Sequence, residues 1–432
     1  MRRERSEVVS GFGGFHRRRA RLIELESAAD LDEYAIEPVL PRGAGRSYGD
    51  AALAPSLVRL VGSAQSSVDE SRRLLDAPAQ LTIREAVELT ARKGLGLPVV
   101  PGTGLATLGG CVAADIHGKN HHKCGSFEAC VESFELVSPD GIRRRCSRET
   151  ESELFFATLG GMGLTGLITR VSLRLERAVP TVRREVRVRD SLEEVVRELT
   201  ESKATYSVAF VDPMARRGKL GRGMVELAEP SESPDRSWRL PTLSTPPTPF
   251  NLVRRSALQV FDALVLESAR RLAARGPRLV AARRFFFPLD GLSDWNRLYG
   301  PKGFVQLQVL VPKLEDLVHI VEAVGRLCPS IGLGVLKVLG DKGSGLLSFP
   351  DRGLCLALDL PASSDLHKAL DLGHDLTLEA GGRLYLAKDA AMRPRHFRGV
   401  YGSAIDRFLS VKDRVDPKRS LRSDQAMRIG LL

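Results

Sequence analysis

The sequence predicts a two-domain protein of mixed helices and strands, outside the dinucleotide-binding α/β class. Length is the first reason: 432 residues can bury a sizeable core and exceed the usual size of one domain. The second is a pair of glycine-rich stretches, Pro41 to Asp50 and Pro101 to Gly141, neither of which sits in the strand–loop–helix order of a Rossmann unit. The third is a change of texture after Leu175, where glycine loops give way to separate strand and helix patterns.

A short strand is expected at Glu37 to Leu40, ahead of Pro41-Arg42-Gly43-Ala44-Gly45-Arg46-Ser47-Tyr48-Gly49-Asp50. Gly43 and Gly45 start like a dinucleotide fingerprint. The third glycine falls one place late, at Gly49, and Ala51 to Val61 shows no amphipathic helix, so the loop reads as a nest of backbone amides for phosphate. Leu81 to Lys93 has helical spacing, and Leu97 to Val100 enters the second stretch. Its glycines, small side chains and three histidines are too irregular for one helix, while Gly102, Gly104, Gly109 and Gly110 let backbone approach a flat ligand. Val131 to Val137 then alternates as a strand, closed by the turn Pro139-Asp140-Gly141.

A G-x-G-x-x-G run at Gly161 to Gly166 follows a helix, Glu151 to Thr158, and leads into a strand, Leu167 to Leu175, which reverses the Rossmann order. Val182 to Val188 reads as strand and Ser191 to Thr200 as helix. Ala228 to Pro249, rich in Pro, Ser and Thr, is expected as a mobile loop or lid. Residues 251–284 alternate apolar and basic residues at near-helical spacing. Phe304 to Val311 and Gly353 to Leu360 read as strands around a helix at Leu314 to Cys328. Gly381 to Asp389 is a turn, a short strand and a lysine, and Phe408 to Val415 is a terminal helix stopped by Asp416-Pro417.

The net charge of +11, from 64 Lys+Arg against 53 Asp+Glu, draws a protein toward phosphates or an anionic membrane face. The clusters Arg17 to Arg19, Arg143 to Arg145 and Arg283-Arg284 lack interleaved aromatics and any helix-turn-helix or finger pattern. Nucleic-acid binding is therefore set aside. Six cysteines without a CxxC pair or zinc-ligand spacing read as reduced thiols of a cytoplasmic protein, and no metal site is expected. Val8 to Phe15 is glycine-broken and too short for a signal sequence, and no apolar run reaches membrane-spanning length.

Four blocks occur in a telling order: RGAGRSYGD from Arg42, PGTGLATLGGCVAADIHGKNHHKCGSFE from Pro101, FFATLGGMGLTGLITRVSL from Phe155 and RLYLAKD from Arg383. Together they resemble the vanillyl-alcohol-oxidase, or PCMH-type, FAD oxidoreductases. WNRLYGPKGF from Trp295, VLKVLG from Val335 and VDPKRSLRSD from Val415 extend the likeness over almost the whole chain. Within the family it is greatest to the branch that oxidises the 2′-hydroxyl of a polyprenylphosphoryl pentose.

The resemblance implies an α+β fold: a two-subdomain PCMH-type FAD-binding domain at residues 1–178, an α+β substrate-binding cap with an antiparallel sheet at 179–382, and a segment, 383–432, returning to the FAD domain. It implies FAD held by Arg42, Gly43, Ala44, Gly45, Arg46, Ser47 and Tyr48, by Pro101, Gly102, Thr103, Gly110, Ala114, His117 and Gly118, and by Gly163, Ile168 and Tyr385. Relatives that attach flavin covalently use a histidine in the first loop; Tyr48 occupies that neighbourhood, so dissociable FAD is expected. Lys388 is carried over as the cationic group at the flavin–substrate junction, Tyr385 as its companion, and His117 as the residue that orders the sugar or relays its proton. Lys119, Gln308 and Lys337 map to the substrate pocket beside Lys388.

The implied reaction gives a 2′-keto sugar for a partner NAD(P)H-dependent reductase, with the basic segment 254–284 against the anionic inner membrane face. An aldonolactone or sugar-alcohol oxidase of the same superfamily is the alternative. One departure stands out: where the family's substrate-side strand carries a cysteine, this chain has Ala357, with Cys355 two residues earlier.

Overall fold

The computed structural model describes residues 2–26, 39–215, 218–235, 242–332 and 334–432. The expected strand at Glu37 to Leu40 lies outside them but for its end, where Leu40–Pro41 pairs in parallel with Ser56–Leu60. The same strand pairs on its other side with Arg17–Leu25, which forms an antiparallel hairpin with Arg2–Ser10. The arginine cluster at 17–19 opens that strand. Alternation then buries Ala20 and Leu22 in the main core.

A second sheet has the order Ser67–Asp69, Leu74–Pro78, Leu167–Arg174, Val131–Val137, Arg143–Ser147, with each neighbouring pair antiparallel. The expected hairpin at Pro139-Asp140-Gly141 joins its last two strands. Helix Ile83–Ala91 starts where Thr82 and Glu85 cap each other, which satisfies two amides of the first turn. Helix Leu108–Ala114 is capped by Thr107 and ends at Asp115, whose φ of 39° turns the chain out of the helix.

The third sheet has eight strands in the order Arg278–Ala281, Thr181–Arg189, Gly223–Ser231, Tyr206–Val211, Gly334–Leu339, Gly353–Pro361, Phe304–Val311, Arg383–Leu384. All its pairs are antiparallel. Helices Leu314–Leu327 and Leu366–Glu379 pack on one face, where Leu317, Ile320, Val324 and Leu370 meet the odd-numbered side chains Val305, Leu307 and Val309. The even positions face the other way. The expected loop from Ala228 begins four residues later, because Ala228 to Ser231 continue strand Gly223–Ser231. The expected lid is further ordered at Leu243–Ser244, which pairs in parallel with Leu292–Ser293, while residues 236–241 lie outside the described part. The basic stretch forms helix Arg255–Ala274, strand Arg278–Ala281 and short helix Ala282–Phe286.

After Arg383–Leu384 the chain crosses back toward the first loop. A Cβ on Gly49 would lie 1.9 Å from the Asp389 carbonyl oxygen, so only glycine permits this approach. Arg428 then clamps the crossing, 2.6 Å from Asp50 and 2.9 Å from Asp389. The G-x-G-x-x-G run has a structural role too: buried Lys412 donates to the Leu164 carbonyl at 2.8 Å and to Asp416 at 2.6 Å.

Candidate active site

Both glycine stretches, the returning segment and the face of the eight-stranded sheet turned away from helices Leu314–Leu327 and Leu366–Glu379 enclose one cavity of about 850 Å³. That is large enough for a dinucleotide-sized ligand and a second molecule within the usual pocket range of about 300–1,000 Å³. Every residue assigned to the site from sequence lines it except Gly118. Gly118 stands behind the wall, where its carbonyl is 3.5 Å from the Lys337 ammonium.

At one end the backbone does the work. The amides of Gly43, Ala44, Gly45, Arg46 and Ser47 donate to no acceptor among the described residues, although Arg42 and Tyr48 on either side are bonded to Val58 and Ala387. Gly45 has φ +66°, the turn that points successive amides one way. The buried Arg46 Nε is also unpartnered among the described residues. Five free amides beside a guanidinium fit a pyrophosphate. Arg42 lines the cavity, and its guanidinium donates to the carbonyls of Ser10 at 2.7 Å and Ala52 at 2.8 Å, bracing the loop. Gly43 brings the two loops together, since a Cβ there would meet Thr107 Oγ1 at 2.5 Å. Thr103 is likewise engaged by the protein, its hydroxyl donating at 2.7 Å to Asp290, which also accepts from the Gly104 amide and pairs with Arg84 at 3.0 Å.

At the other end side chains do the work. Strand alternation puts Gln306 and Gln308, Val335 and Lys337, and Cys355, Ala357 and Asp359 on one floor, with Lys337 directly across from Cys355 and Gln306 across from Asp359. Gln308 Nε2 reaches His117 Nε2 at 2.9 Å and Cys355 Sγ at 3.2 Å. Burial, helped by the nearby Lys337 ammonium, holds His117 well below the usual histidine range, so the ring is neutral. With Nε2 accepting from the glutamine amide, the ring proton sits on Nδ1, which has no hydrogen-bond partner among the described residues. In this tautomer His117 has one N–H free, among the described residues, to meet a ligand oxygen. Tyr385 is a wall: its ring stacks on Phe349 at 4.6 Å and its hydroxyl donates to Ala114.

The three lysines differ. Lys119 is bound to the protein, donating to the Phe285 carbonyl, lying 3.9 Å from the Phe285 ring centroid and 3.8 Å from Glu226. Lys337 has, among the described residues, only the long hydrogen bond to Gly118. Lys388 stands 3.5 Å over the Tyr48 ring, and burial brings it down to about 7. Sequence reading missed Gln306, Asp290 and Asp359. Their positions follow from strand register and a tertiary contact, neither of which leaves a motif.

Residues 28–147 match the family described as FAD binding domain. The chain is 33% identical over 423 residues to decaprenylphosphoryl-beta-D-ribose oxidase of Mycolicibacterium smegmatis, covering 91% of this chain and 89% of that protein. An uncharacterized protein of Streptomyces coelicolor is 34% identical over 375 residues, 81% of this chain and all of the relative. Cytokinin dehydrogenase 7 of Oryza sativa subsp. japonica is 31% identical over 153 residues, about a third of each chain.

Proposed function

The chain belongs to the FAD-dependent oxidoreductase family of decaprenylphosphoryl-beta-D-ribose oxidase, and from that premise we propose that it oxidises the 2′-hydroxyl of a polyprenylphosphoryl pentose to the 2′-keto sugar. The carrying observation is the single cavity that joins an empty-handed amide nest to a floor bearing Lys337 and Lys388. FAD, when bound, supplies the hydride acceptor. Gly43 to Ser47 and Arg46 hold its pyrophosphate, and Gly102, Gly110, Ala114, Gly163 and Ile168 line the path toward the floor. Lys388 supplies positive charge at the junction with substrate, His117 orders the sugar, and Lys337 meets its phosphate.

A lipid-linked substrate also fits the outer surface. Leu243, Phe250, Leu252 and Leu289 are exposed, and Leu243 and Leu252 bond directly to the 291–298 segment that borders the cavity. On helix Arg255–Ala274, Ala257, Val260, Phe261 and Leu264 repeat at i, i+3, i+4, i+7 on the exposed face, and arginine outnumbers acidic residues eight to two between Phe250 and Arg284. That combination suits an anionic bilayer. No helix among the described residues is long and apolar enough to cross a membrane. The 2′-keto product calls for a reductase to complete an epimerisation.

Anaerobic addition of a polyprenylphosphoryl ribose should bleach the flavin, while free ribose leaves it oxidised. Bleaching by soluble aldonolactones or sugar alcohols alone would reassign the substrate. Flavin should leave the polypeptide on acid precipitation, as Tyr48 in place of a histidine leads us to expect, and sedimentation with anionic but not neutral liposomes checks the surface.

A further inference from the structure

Among the described residues the Lys388 ammonium makes no ion pair and no hydrogen bond; it stands 3.5 Å from the centroid of the Tyr48 ring. A cation resting on a ring is placed by the two chain segments that carry the pair. Those segments are the first loop and the turn Tyr385 to Asp389, in which the Lys388 and Asp389 amides both donate to the Tyr385 carbonyl at 3.0 Å. A backbone bond joins the two, from the Tyr48 amide to the Ala387 carbonyl at 2.9 Å.

A second tie comes from the far end of the chain. Helix Asp424–Arg428 is capped by Ser423, whose hydroxyl accepts from the Ala426 amide at 3.0 Å, and it docks where the Asp424 amide donates to the Leu53 carbonyl at 2.8 Å. From there Arg428 takes Asp50 in a two-pronged grip, Nε to Oδ2 at 2.9 Å and Nη2 to Oδ1 at 2.6 Å. The same guanidinium donates from Nη2 to Asp389 Oδ2 at 2.9 Å and from Nη1 to the Met392 carbonyl at 2.7 Å. One turn earlier Gln425 Nε2 donates to the Leu386 carbonyl at 2.7 Å and to Asp389 Oδ2 at 3.1 Å. Asp389 Oδ1 is satisfied by its own turn, accepting from the amides of Ala391 and Met392. Both carboxylates are buried, and a bidentate charge-assisted grip fixes geometry as well as energy. The two carboxylates and the Leu386 carbonyl lie within two residues of Tyr48 or Lys388.

We propose that Arg428 is a positioning residue for Lys388: by holding Asp50 and Asp389 together it keeps the ammonium on the Tyr48 ring, so the last helix of the chain sets where that charge meets substrate. The use made of the charge rests on the proposed oxidation; the placement of Lys388 is measurable without substrate. Arg428 itself touches neither Lys388 nor Tyr48 and acts through the residues beside them. Without its fork the first loop and the returning turn keep their backbone bond but lose the side-chain clamp on either side of it, and Lys388 swings about that single tie.

Arg428→Ala strands two buried carboxylates, so the test variant is Arg428→Lys, which keeps the charge and loses the fork. Should it fail to fold, Asp50→Asn, which keeps the shape and loosens the first-loop half of the clamp, is read in the same way. In FAD-loaded protein with 13C-labelled lysine, the Lys388 side-chain resonances are identified by their loss in Lys388→Arg. The upfield displacement they owe to the Tyr48 ring is the part that disappears in Tyr48→Leu. Most of that part should also disappear in Arg428→Lys; its full retention in a folded, FAD-retaining variant overturns the proposal. Flavin reduction by a polyprenylphosphoryl ribose should slow by about 10-fold to 100-fold, the scale of a small misplacement of a reacting group, with FAD content near that of the wild type. In a Lys388→Ala background the same substitution should cost less than about twofold, because the two residues act as one unit. An equal cost in both backgrounds would give Arg428 a role independent of Lys388 and also overturn the proposal. If Lys388→Ala reduces flavin like the wild type while the displacement still collapses in Arg428→Lys, the oxidase mechanism fails and the positioning stands.

Discussion

The two ends of the cavity are built from different materials. The first-loop end presents main-chain amides, held out by Gly43 and Gly45 and braced by Arg42, whereas the floor presents side chains from alternate positions of three strands. A backbone-built site needs glycine at fixed places, so it tolerates little change of shape. A side-chain-built site keeps its shape under substitution and changes its charge. The two ends should therefore fail in different ways, one losing cofactor and the other losing chemistry.

Lys388→Ala gives the sharpest separation. It removes the cation at the junction while leaving every free amide of Gly43 to Ser47 in place. Flavin reduction should fall by about 10²–10³-fold, the usual loss on deleting one preorganised electrostatic group, with FAD content and the visible spectrum of the oxidised protein near normal. Loss of FAD in this variant would erase the division between the two ends.

Gly43→Val tests the opposite end. The added carbons run into Thr107 Oγ1, which is the cap of helix Leu108–Ala114, so the first loop has to move off the second. FAD affinity should drop by about 100-fold, or roughly 2.7 kcal/mol, as read by titrating the apoprotein with FAD. Turnover per bound FAD should stay within about twofold of the wild type. The three atoms nearest a Cβ at Gly43 all belong to Thr107, none to the floor at 304–311 and 353–361.

This division also explains what could be read in the sequence. Gly43, Gly45 and Gly49 announce their loop because no other residue serves those positions, and RLYLAKD announces Lys388 because the short return segment has little else in it. The floor is another matter. In FVQLQVLV and GLCLALDLP the polar residues Gln306, Gln308 and Asp359 look like ordinary interruptions of apolar strands. Only the register that sets Gln306 opposite Asp359 makes them a pair, and register is decided by the packing of the opposite face, Val305, Leu307 and Leu358 among them, under two distant helices. Asp290 was illegible for a similar reason: its partners Thr103, Gly104 and Arg84 lie 186 to 206 residues away. The loop expected from Ala228 failed because Pro230 and Ser231 look like linker, yet they pair with Val182 and Thr181 near the sheet's margin, where a proline is tolerated.

The floor itself divides in the same terms, and its two outer lysines give the smallest effects. Lys337 has one long contact to a carbonyl and lies across from Cys355, leaving its charge for a phosphate-bearing ligand. Lys337→Met should raise KM for a polyprenylphosphoryl ribose by about 10-fold, close to one charge-assisted hydrogen bond of roughly 1.4 kcal/mol, with kcat changed far less. Lys119 looks equivalent in the sequence but is held by Glu226, the Phe285 carbonyl and the Phe285 ring. In Lys119→Met the Glu226 carboxylate keeps Arg184 at 3.1 Å, so no buried charge is stranded. KM should then move by less than about threefold, a change within the range of packing adjustments. A Lys119→Met effect equal to that of Lys337→Met would mean that the ligand draws Lys119 away from Glu226, and that the phosphate sits nearer to strand Gly223–Ser231 than to strand Gly334–Leu339.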